Sequence, residues 1–118
     1  MATPDASLAG EDFCYITTTG RVTGNPHTIE IWFALLGSVL YIMAGDGERS
    51  DTVRNLRHQP SVQVKLGNVS YEATARVVMD AGEDALARRL LLQKYQPGLG
   101  DDLTSWGRTA LPVAFEFS

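Results

Sequence analysis

The chain has 118 residues and a mass of 12.9 kDa, which is the size of one domain. Its composition, 44% hydrophobic and 20% charged, is that of an ordinary globular protein. A net charge of −4 excludes the general basic surface of a nucleic-acid-binding domain. The single cysteine, Cys14, excludes an internal disulfide and a paired-cysteine zinc or redox motif. A domain this small cannot enclose a large cofactor, so we expect such a ligand in a surface groove or between subunits.

The N-terminus has neither the basic nor the apolar region of a signal peptide. No segment approaches the ~20 apolar residues that span a bilayer, so we expect a cytoplasmic protein without a transmembrane segment. The charges are distributed unevenly, because residues 13–66 carry five bases, four acids and both histidines, whereas residues 1–12 carry three acids and no base. An anion site is therefore expected in the middle stretch.

The first half of the chain predicts three strands. Residues 13–19 are rich in aromatic and β-branched side chains, and the two glycines and one proline of residues 20–26 indicate a loop. Residues 27–35 alternate in the manner of a second strand. One face would hold the odd positions Ile29, Ile31, Phe33 and Leu35, and the other the even positions Thr28, Glu30 and Trp32. After a turn at Gly37, residues 39–44 predict a third strand that is apolar on both faces.

The second half adds helices between further strands. Ser50 is a plausible N-cap for a short helix over residues 51–58, with Val53 and Leu56 facing inward. Strands are predicted over residues 61–66, 69–79 and 112–117, the first two joined by a Gly67-Asn68 turn. A helix over about 82–95 would be capped by Asp80, carry a core stripe of Leu86, Leu90 and Leu91, and stop at Pro97-Gly98. Residues 101–106 would add one helical turn.

This order of elements has too few helices for an alternating βα sheet. It predicts a mainly β (α+β) fold, a small antiparallel barrel of about six strands with two or three helices packed outside. We expect residues 1–12 to be a flexible tail and residues 13–118 to form a single domain.

Two glycine-containing loops are candidate anion sites. Gly45–Ser50 follows a strand and opens a helix beside Arg49, so it is either a phosphate site or an ordinary glycine-rich turn. It is not a dinucleotide fingerprint, because Ser50 stands where the third glycine belongs. Residues 20–27 contain Arg21 and His27 together with two glycines and a proline, which fits either an anion-binding loop or a solvated turn. Arg54 and Arg57 lie on one helix face, as a cationic wall or as a solvated surface.

Other side chains leave the chemistry open. The face of Glu30 and Trp32 would meet a helix, a second subunit or a flat ring, or Glu30 would simply be exposed. Tyr95, at a helix end, is either a proton donor at a pocket mouth or a residue of the core or rim. No serine or cysteine has an evident base beside it. A chain without its own acid–base constellation fits a reaction whose chemistry is carried by a cofactor.

The residues themselves carry a family resemblance. It begins with Ile16-Thr17-Thr18-Thr19-Gly20-Arg21, Gly24 and Pro26, and continues through Trp32-Phe33, residues 41–47, Arg49-Ser50-Asp51 and Val53-Arg54-Asn55-Leu56. Pro60, Lys94-Tyr95-Gln96-Pro97, Ser105-Trp106-Gly107-Arg108-Thr109 and Leu111-Pro112-Val113 complete it. In this ordered set the chain resembles the deazaflavin-dependent nitroreductase family of flavin-binding split-barrel proteins.

The resemblance implies a split β-barrel similar to the FMN-binding split barrel, commonly a homodimer, that binds an 8-hydroxy-5-deazaflavin coenzyme (factor 420). It implies hydride transfer from the reduced ring to a quinone, a nitroaromatic or a related small acceptor. Tyr95 would lie at the substrate end. The implied coenzyme contacts are Arg21, Asn25, Pro26, His27, Glu30, Ile31, Trp32, Ala44, Gly45, Asp46, Gly47, Arg49, Ser50, Arg54 and Asn55.

The chain also departs from the family pattern. Val22, Asn25 and His27 stand where the first loop often has Lys or Arg, and Asp46 and Glu48 lie in a second loop that often carries Lys. Two alternatives therefore stay open. One is an FMN-dependent oxidoreductase of the same fold, since FMN needs fewer cations. The other is a non-catalytic module that holds a deazaflavin, haem or lipid.

Overall fold

The computed structural model describes residues 3–96 and 103–117, and within them one antiparallel sheet of seven strands. The strands are β1 (Cys14–Thr19), β2 (Pro26–Ile31), β3 (Ala34–Leu36), β4 (Val39–Ala44), β5 (Ser61–Leu66), β6 (Val69–Val77) and β7 (Leu111–Phe117). The helices are α1 (Asp51–His58), α2 (Ala81–Tyr95) and α3 (Thr104–Thr109), with short 3-10 helices at Ala6–Gly10 and Gly47–Arg49. The sheet curls in the order β2-β1-β5-β6-β7-β4-β3, which confirms the predicted barrel class.

The predicted continuous strand over residues 27–35 is wrong, because the chain breaks at Trp32-Phe33 into β2 and β3. The N–H of Phe33 donates to the Tyr95 hydroxyl at 2.9 Å, and its carbonyl accepts from Lys94 Nζ at 3.0 Å. Both backbone groups of Phe33 therefore bond to side chains of α2 instead of a neighbouring strand. β2 and β3 lie at opposite edges of the sheet, which is why the sheet has seven strands where about six were expected.

Alternating side chains build two apolar clusters, one on each face of the sheet. The inner cluster lies between the curled strands and α1, and includes Phe33, Leu40, Leu56, Val113 and Phe115. The outer cluster lies between β4, β7 and α2, and includes Tyr41, Met43, Ala87, Leu91 and Ala114. Strands β4 and β7 supply both clusters because successive side chains point to opposite faces. The residues predicted to face inward on α1, Val53 and Leu56, are buried.

The remaining local predictions have mixed outcomes. Ser50 Oγ accepts from the Val53 N–H at 3.3 Å, and Asp80 Oδ2 accepts from the Glu83 N–H at 2.8 Å, so both predicted N-caps are confirmed. In α2, Leu91 and Ala87 are buried, whereas Leu86 and Leu90 are partly exposed.

The two chain ends also differ from the sequence reading. In the 3-10 helix Ala6–Gly10, Leu8 packs on the inner cluster, while the flexibility of residues 1–12 and the boundary after them stay predictions. The predicted turn over 101–106 is instead α3, from Thr104 to Thr109, and the predicted stop at Pro97-Gly98 lies outside the described residues. No described helix is long and apolar enough to cross a bilayer.

A four-residue ionic network fastens the start of α2 to the sheet. Glu83 accepts two bonds from the Arg76 guanidinium, at 2.6 and 2.8 Å, and one from the Tyr41 hydroxyl at 2.7 Å. Arg76 Nε also donates to Glu116 at 2.6 Å. The bonds from Arg76 and Tyr41 lower the pKa of Glu83 from 4.5 to about 2. The network ties β4, β6 and β7 to the helix that holds Phe33.

We expect Glu83→Gln to lower the free energy of unfolding at pH 7 by about 1–3 kcal/mol, because it weakens charge-assisted bonds. A lowered pKa stabilises the fold fully above the unfolded value of 4.5 and ceases to do so as the pH falls toward about 2. The difference between wild type and variant in urea unfolding should therefore shrink from pH 6 to pH 3. Glu72→Gln, at an exposed carboxylate of β6, is the control, and an equal loss there would contradict the assignment.

Candidate functional site

Two grooves lie at the two ends of the edge strand β2. The first, which we call the aromatic groove, has a volume of about 320 Å³ and is lined by Phe13, Glu30, Ile31, Trp32, Met43, Gly45 and Trp106. The second, the arginine groove, has a volume of about 440 Å³ and is lined by Gly20, Arg21, Val22, Thr23, Asn25, Pro26, His27, Asp51 and Asn55. From Pro26 to Ile31 an extended strand covers about 17 Å, so one elongated ligand can reach both grooves.

Flat aromatic side chains form the wall of the aromatic groove. The Trp32 ring stacks on Tyr95 with centroids 4.4 Å apart and planes within 6°, and Trp106 meets its edge at 5.6 Å and 88°. Such pairs add stability beyond the area they bury. Trp32 is thereby fixed between α2 and α3, so this side chain meets helices as one interpretation predicts, although it follows β2 and does not belong to it. The wall suits a planar, apolar ligand.

Tyr95, the predicted catalytic residue, supports this wall from behind. Its hydroxyl accepts from the Phe33 N–H at 2.9 Å and lies 2.8 Å from the Asp12 carbonyl and 3.1 Å from the Phe33 carbonyl. Burial is the main cause that raises its pKa to about 12. The described lining of the aromatic groove does not include Tyr95, so its role in proton transfer stays a prediction.

Lys94 completes the support of the same backbone turn. Its ammonium lies 3.6 Å from the centroid of the Phe33 ring, in addition to its bond to the Phe33 carbonyl. Burial lowers the pKa of Lys94, and it raises that of the neighbouring Cys14 thiol to about 12. Cys14 is fully buried, which leaves it a core residue.

Glu30 is the titratable side chain among the described residues that line the aromatic groove. Its carboxylate accepts from the Tyr15 hydroxyl at 3.0 Å on the outer face of the sheet, and this bond is the largest cause that raises the pKa of Tyr15. Glu30 is exposed. Its surroundings therefore match the interpretation of an exposed glutamate beside a packed Trp32.

A buried amide organises the arginine groove. Asn55 on α1 is 2% exposed, and its Nδ2 donates to Thr18 Oγ1 at 3.3 Å. Its Oδ1 accepts from the Arg21 N–H at 3.2 Å and from Arg21 Nη1 at 2.9 Å. A second bond, from Arg21 Nη2 to Asp51 Oδ1 at 3.1 Å, joins the same guanidinium to the first residue of α1. The amide predicted to touch a coenzyme thus bonds to the loop and to β1.

Glycine lets the loop at residues 20–27 close tightly. The Gly20 N–H donates to the Asn25 carbonyl at 2.7 Å, and the Gly24 N–H donates back to the Gly20 carbonyl at 2.9 Å. A Cβ on Gly20 would lie 2.8 Å from His27 Nε2, and Gly24 has a φ of 78°. The loop therefore holds His27 over Gly20, with the side chains of Asn25, Pro26 and His27 exposed.

The second predicted loop carries cations and paired acids. Glu48 forms two bonds with Arg57, at 2.6 and 2.9 Å, and its carbonyl accepts from Arg54 Nε at 3.3 Å. Arg49 and Asp46 are exposed, and within the described residues neither has an ion pair. The loop therefore presents Arg49 to solvent and the following helix α1 presents Arg54. The charge of Arg57, also on α1, is neutralised by Glu48.

Most of the other predicted residues in and beside this loop shape the backbone or the core. Gly47, with a φ of 58°, opens the 3-10 helix, and the hydroxyl of Ser50 caps α1. Ala44 is buried at the end of β4, and Gly45 lines the aromatic groove. Of the predicted contacts, four line the aromatic groove and five line the arginine groove. The described lining of the two grooves does not include the other six, which are Ala44, Asp46, Gly47, Arg49, Ser50 and Arg54.

Residue-by-residue reasoning missed several lining residues. Phe13 and Met43 belong to strand-forming stretches and carried no separate signal. Trp106 belongs to the family resemblance without an implied role. Asp51 belongs to it as well, and only the Arg21 contact across 30 residues places it in the groove.

We expect Asn55→Ala to lower the free energy of unfolding by about 1–3 kcal/mol, because it leaves Thr18 and the Arg21 N–H without their partner. Hydrogen exchange of the Arg21 amide should accelerate more than that of the amides in β5. Arg54→Ala, one residue away but exposed, should change stability by less than about 0.5 kcal/mol. Equal exchange rates of the Arg21 amide in wild type and Asn55→Ala would contradict the hydrogen bond from this amide to Asn55.

Known proteins share this fold and sequence pattern. A family model described as F420H(2)-dependent quinone reductase matches residues 3–116. No curated protein matches the chain. A conserved hypothetical protein from Mycobacterium tuberculosis is 18% identical with a TM-score of 0.71, and the match covers 97% of this chain and 80% of that one.

Two further solved structures share the fold, but their names state different functions. An F420-H2 dependent reductase is 18% identical with a TM-score of 0.69, over 98% of both chains. The heme storage protein HutZ from Vibrio cholerae is 12% identical with a TM-score of 0.69, over 95% of this chain and 86% of that one. At these identities the likeness concerns the fold.

Proposed function

Since the chain belongs to the F420H(2)-dependent quinone reductase family, we propose that its physiological acceptor is a quinone that binds in the aromatic groove. Family membership confirms the predicted deazaflavin-dependent oxidoreductase class and its F420 coenzyme. The nitroaromatic acceptors that the resemblance also implied belong to the same proposal as alternative substrates.

One observation carries the assignment of the site, namely two unlike grooves joined by the single strand β2. A coenzyme with a flat ring and an anionic tail needs an apolar slot at one end and cations at the other. The aromatic groove supplies Trp32, Trp106 and Met43, and the arginine groove supplies the charge of Arg21 and the imidazole of His27 as a hydrogen-bonding group. The residues present therefore fit the family's coenzyme in chemistry.

Each predicted contact has a place in this proposal. The ring would lie along Glu30, Ile31 and Trp32 with Gly45 opposite. The tail would be held by Arg21, Asn25, Pro26 and His27 on one side. The other side of the tail would be formed by Asp46, Gly47, Arg49, Ser50 and Arg54, with the buried Ala44 and Asn55 behind them.

When bound, the reduced coenzyme supplies the hydride, and the chain supplies position and surroundings. Trp32, fixed by Tyr95 and Trp106, sets the plane of the aromatic groove. For Tyr95 we propose a role at the acceptor end, where burial keeps its hydroxyl protonated and the backbone of Phe33 holds that hydroxyl in place.

We propose a homodimer of single-domain chains in the cytoplasm. β2 is an edge strand with an exposed outer side, and exposed edges are places where chains pair. A domain-swapped dimer 20% identical to the chain, with a TM-score of 0.70, has the same fold. Size-exclusion chromatography coupled to light scattering tests the dimer directly.

A specific observation favours FMN as the second candidate coenzyme. Asp51 and Glu48 are bonded to Arg21 and Arg57, which leaves fewer free cations for a tail with several negative charges. FMN carries a single phosphate. A yellow protein as purified, whose colour is released by denaturation as FMN, would support this candidate over the deazaflavin.

We expect Arg21→Ala and Arg54→Ala each to weaken binding of the oxidised coenzyme by about fivefold to thirtyfold at low salt, because each removes a charge from the tail site. Fluorescence titration at 20 mM and 500 mM NaCl checks this, and the loss should shrink at high salt. Arg89→Ala, an exposed charge on α2, should bind like wild type. Unchanged affinity in Arg21→Ala at low salt would place the tail elsewhere.

We expect the purified protein to oxidise the reduced coenzyme with a naphthoquinone, followed by loss of its absorbance. Trp32→Ala should lower kcat/KM about tenfold or more because it removes both aromatic pairs, whereas Trp32→Phe should retain most activity. A protein that binds the coenzyme but turns over neither quinone nor nitroaromatic is a binding module, which is the third possibility from the sequence.

A further inference from the structure

We propose that Asp51 is an internal competitor for the anion at Arg21 and thereby sets how tightly the arginine groove holds an anionic ligand. The inference rests on the proposed function in one respect, since that function places the coenzyme's tail in this groove. Asp51 has no part in the predicted set of coenzyme contacts. Its proposed role is to tune affinity through Arg21.

The two partners of the Arg21 guanidinium differ in how firmly they are held. Asn55, which accepts from Nη1 at 2.9 Å, is 2% exposed and is bonded to Thr18 behind it. The side chain of Asp51, which accepts from Nη2 at 3.1 Å, is 82% exposed. A solvated ion pair of this kind contributes little stability. The contact with Asn55 is therefore a fixed anchor, and the contact with Asp51 is exchangeable.

An anionic ligand seeks the same N–H donors that Asp51 uses. Carboxylate and phosphate oxygens bind a guanidinium through the same charge-assisted bonds. A phosphate at Arg21 must either displace the Asp51 carboxylate or lie beside it against like-charge repulsion. Either way, the bound state loses part of the attraction that Arg21 would otherwise offer.

Removal of the Asp51 charge should leave Arg21 in place. The backbone N–H and Nη1 of Arg21 both bond to Asn55, and neither bond involves Asp51. Among the described residues that line this groove, Asp51 is the one that carries a carboxylate. Neutral Asn at this position therefore frees Nη2 for the ligand without loss of the anchor.

The test compares Asp51→Asn with a control that also removes one negative charge, Glu72→Gln. Glu72 lies on β6, outside the proposed coenzyme contacts, is exposed and has no ion pair within the described residues. We expect Asp51→Asn to tighten binding of the oxidised coenzyme about threefold to tenfold at 20 mM NaCl, and Glu72→Gln by less than about twofold. Thermal melts without ligand check that both variants fold.

A double variant isolates the route through Arg21. In an Arg21→Ala background, Asp51→Asn should have no more effect than Glu72→Gln, because the cation for which Asp51 competes is gone. The proposal is overturned if Asp51→Asn and Glu72→Gln tighten binding equally, if Asp51→Asn weakens binding, or if its effect survives in Arg21→Ala.

Inorganic pyrophosphate separates this proposal from the coenzyme assignment. Its stabilisation of the protein, measured as the rise in Tm, should be larger for Asp51→Asn than for Glu72→Gln. Suppose that the coenzyme binds neither the wild type nor any variant, but pyrophosphate still raises the Tm of Asp51→Asn more than that of the control. The proposed function then fails and the role of Asp51 stands. If the wild type binds the coenzyme and the two variants behave alike in both assays, the role of Asp51 fails alone.

Discussion

The bonds from α2 to the backbone of Phe33 separate β2 from β3 and thereby shape the aromatic half of the candidate site. Tyr95 and Lys94 together bind the N–H and the carbonyl of one residue, more than 60 positions away in the chain. Because these groups are occupied, β2 cannot run on into β3, and the two strands separate to opposite edges of the sheet. The stack of Tyr95 on Trp32 belongs to the same contact, so the clamp that opens the sheet also shapes the aromatic groove.

The two ends of the site are held by opposite kinds of packing. At the aromatic groove, Trp32 and Trp106 are held in place by ring contacts, which are tolerant of small shifts. At the arginine groove, Asn55 is buried, so its amide must be bonded on both sides or cost free energy. Thr18 and Arg21 meet that requirement. A polar core residue therefore positions the cation, while the apolar end relies on shape.

The sequence predicts those elements whose partners are near neighbours and misses what depends on distant contacts. The alternation of β5 and β7 and the caps at Ser50 and Asp80 follow from local patterns, and the structure has them. Nothing local in residues 27–35 indicates a break, because the groups that cause it lie in α2. Asn55 is a similar case, since a polar residue between Val53 and Leu56 suggests an outward side chain until Thr18 is placed behind it.

Charge counts mislead at this site because the acids and bases are paired. The acidic residues of the second loop, taken singly, argue against an anion site, and the arginines argue for one. In the structure Glu48 neutralises Arg57, and Asp51 takes one N–H of Arg21, while Arg49 and Arg54 keep their charges exposed. What an anion would meet depends on which bonds it can exchange. An exposed carboxylate gives way to a ligand, and a buried amide does not, so affinity here follows from the burial of each partner more than from the sum of charges.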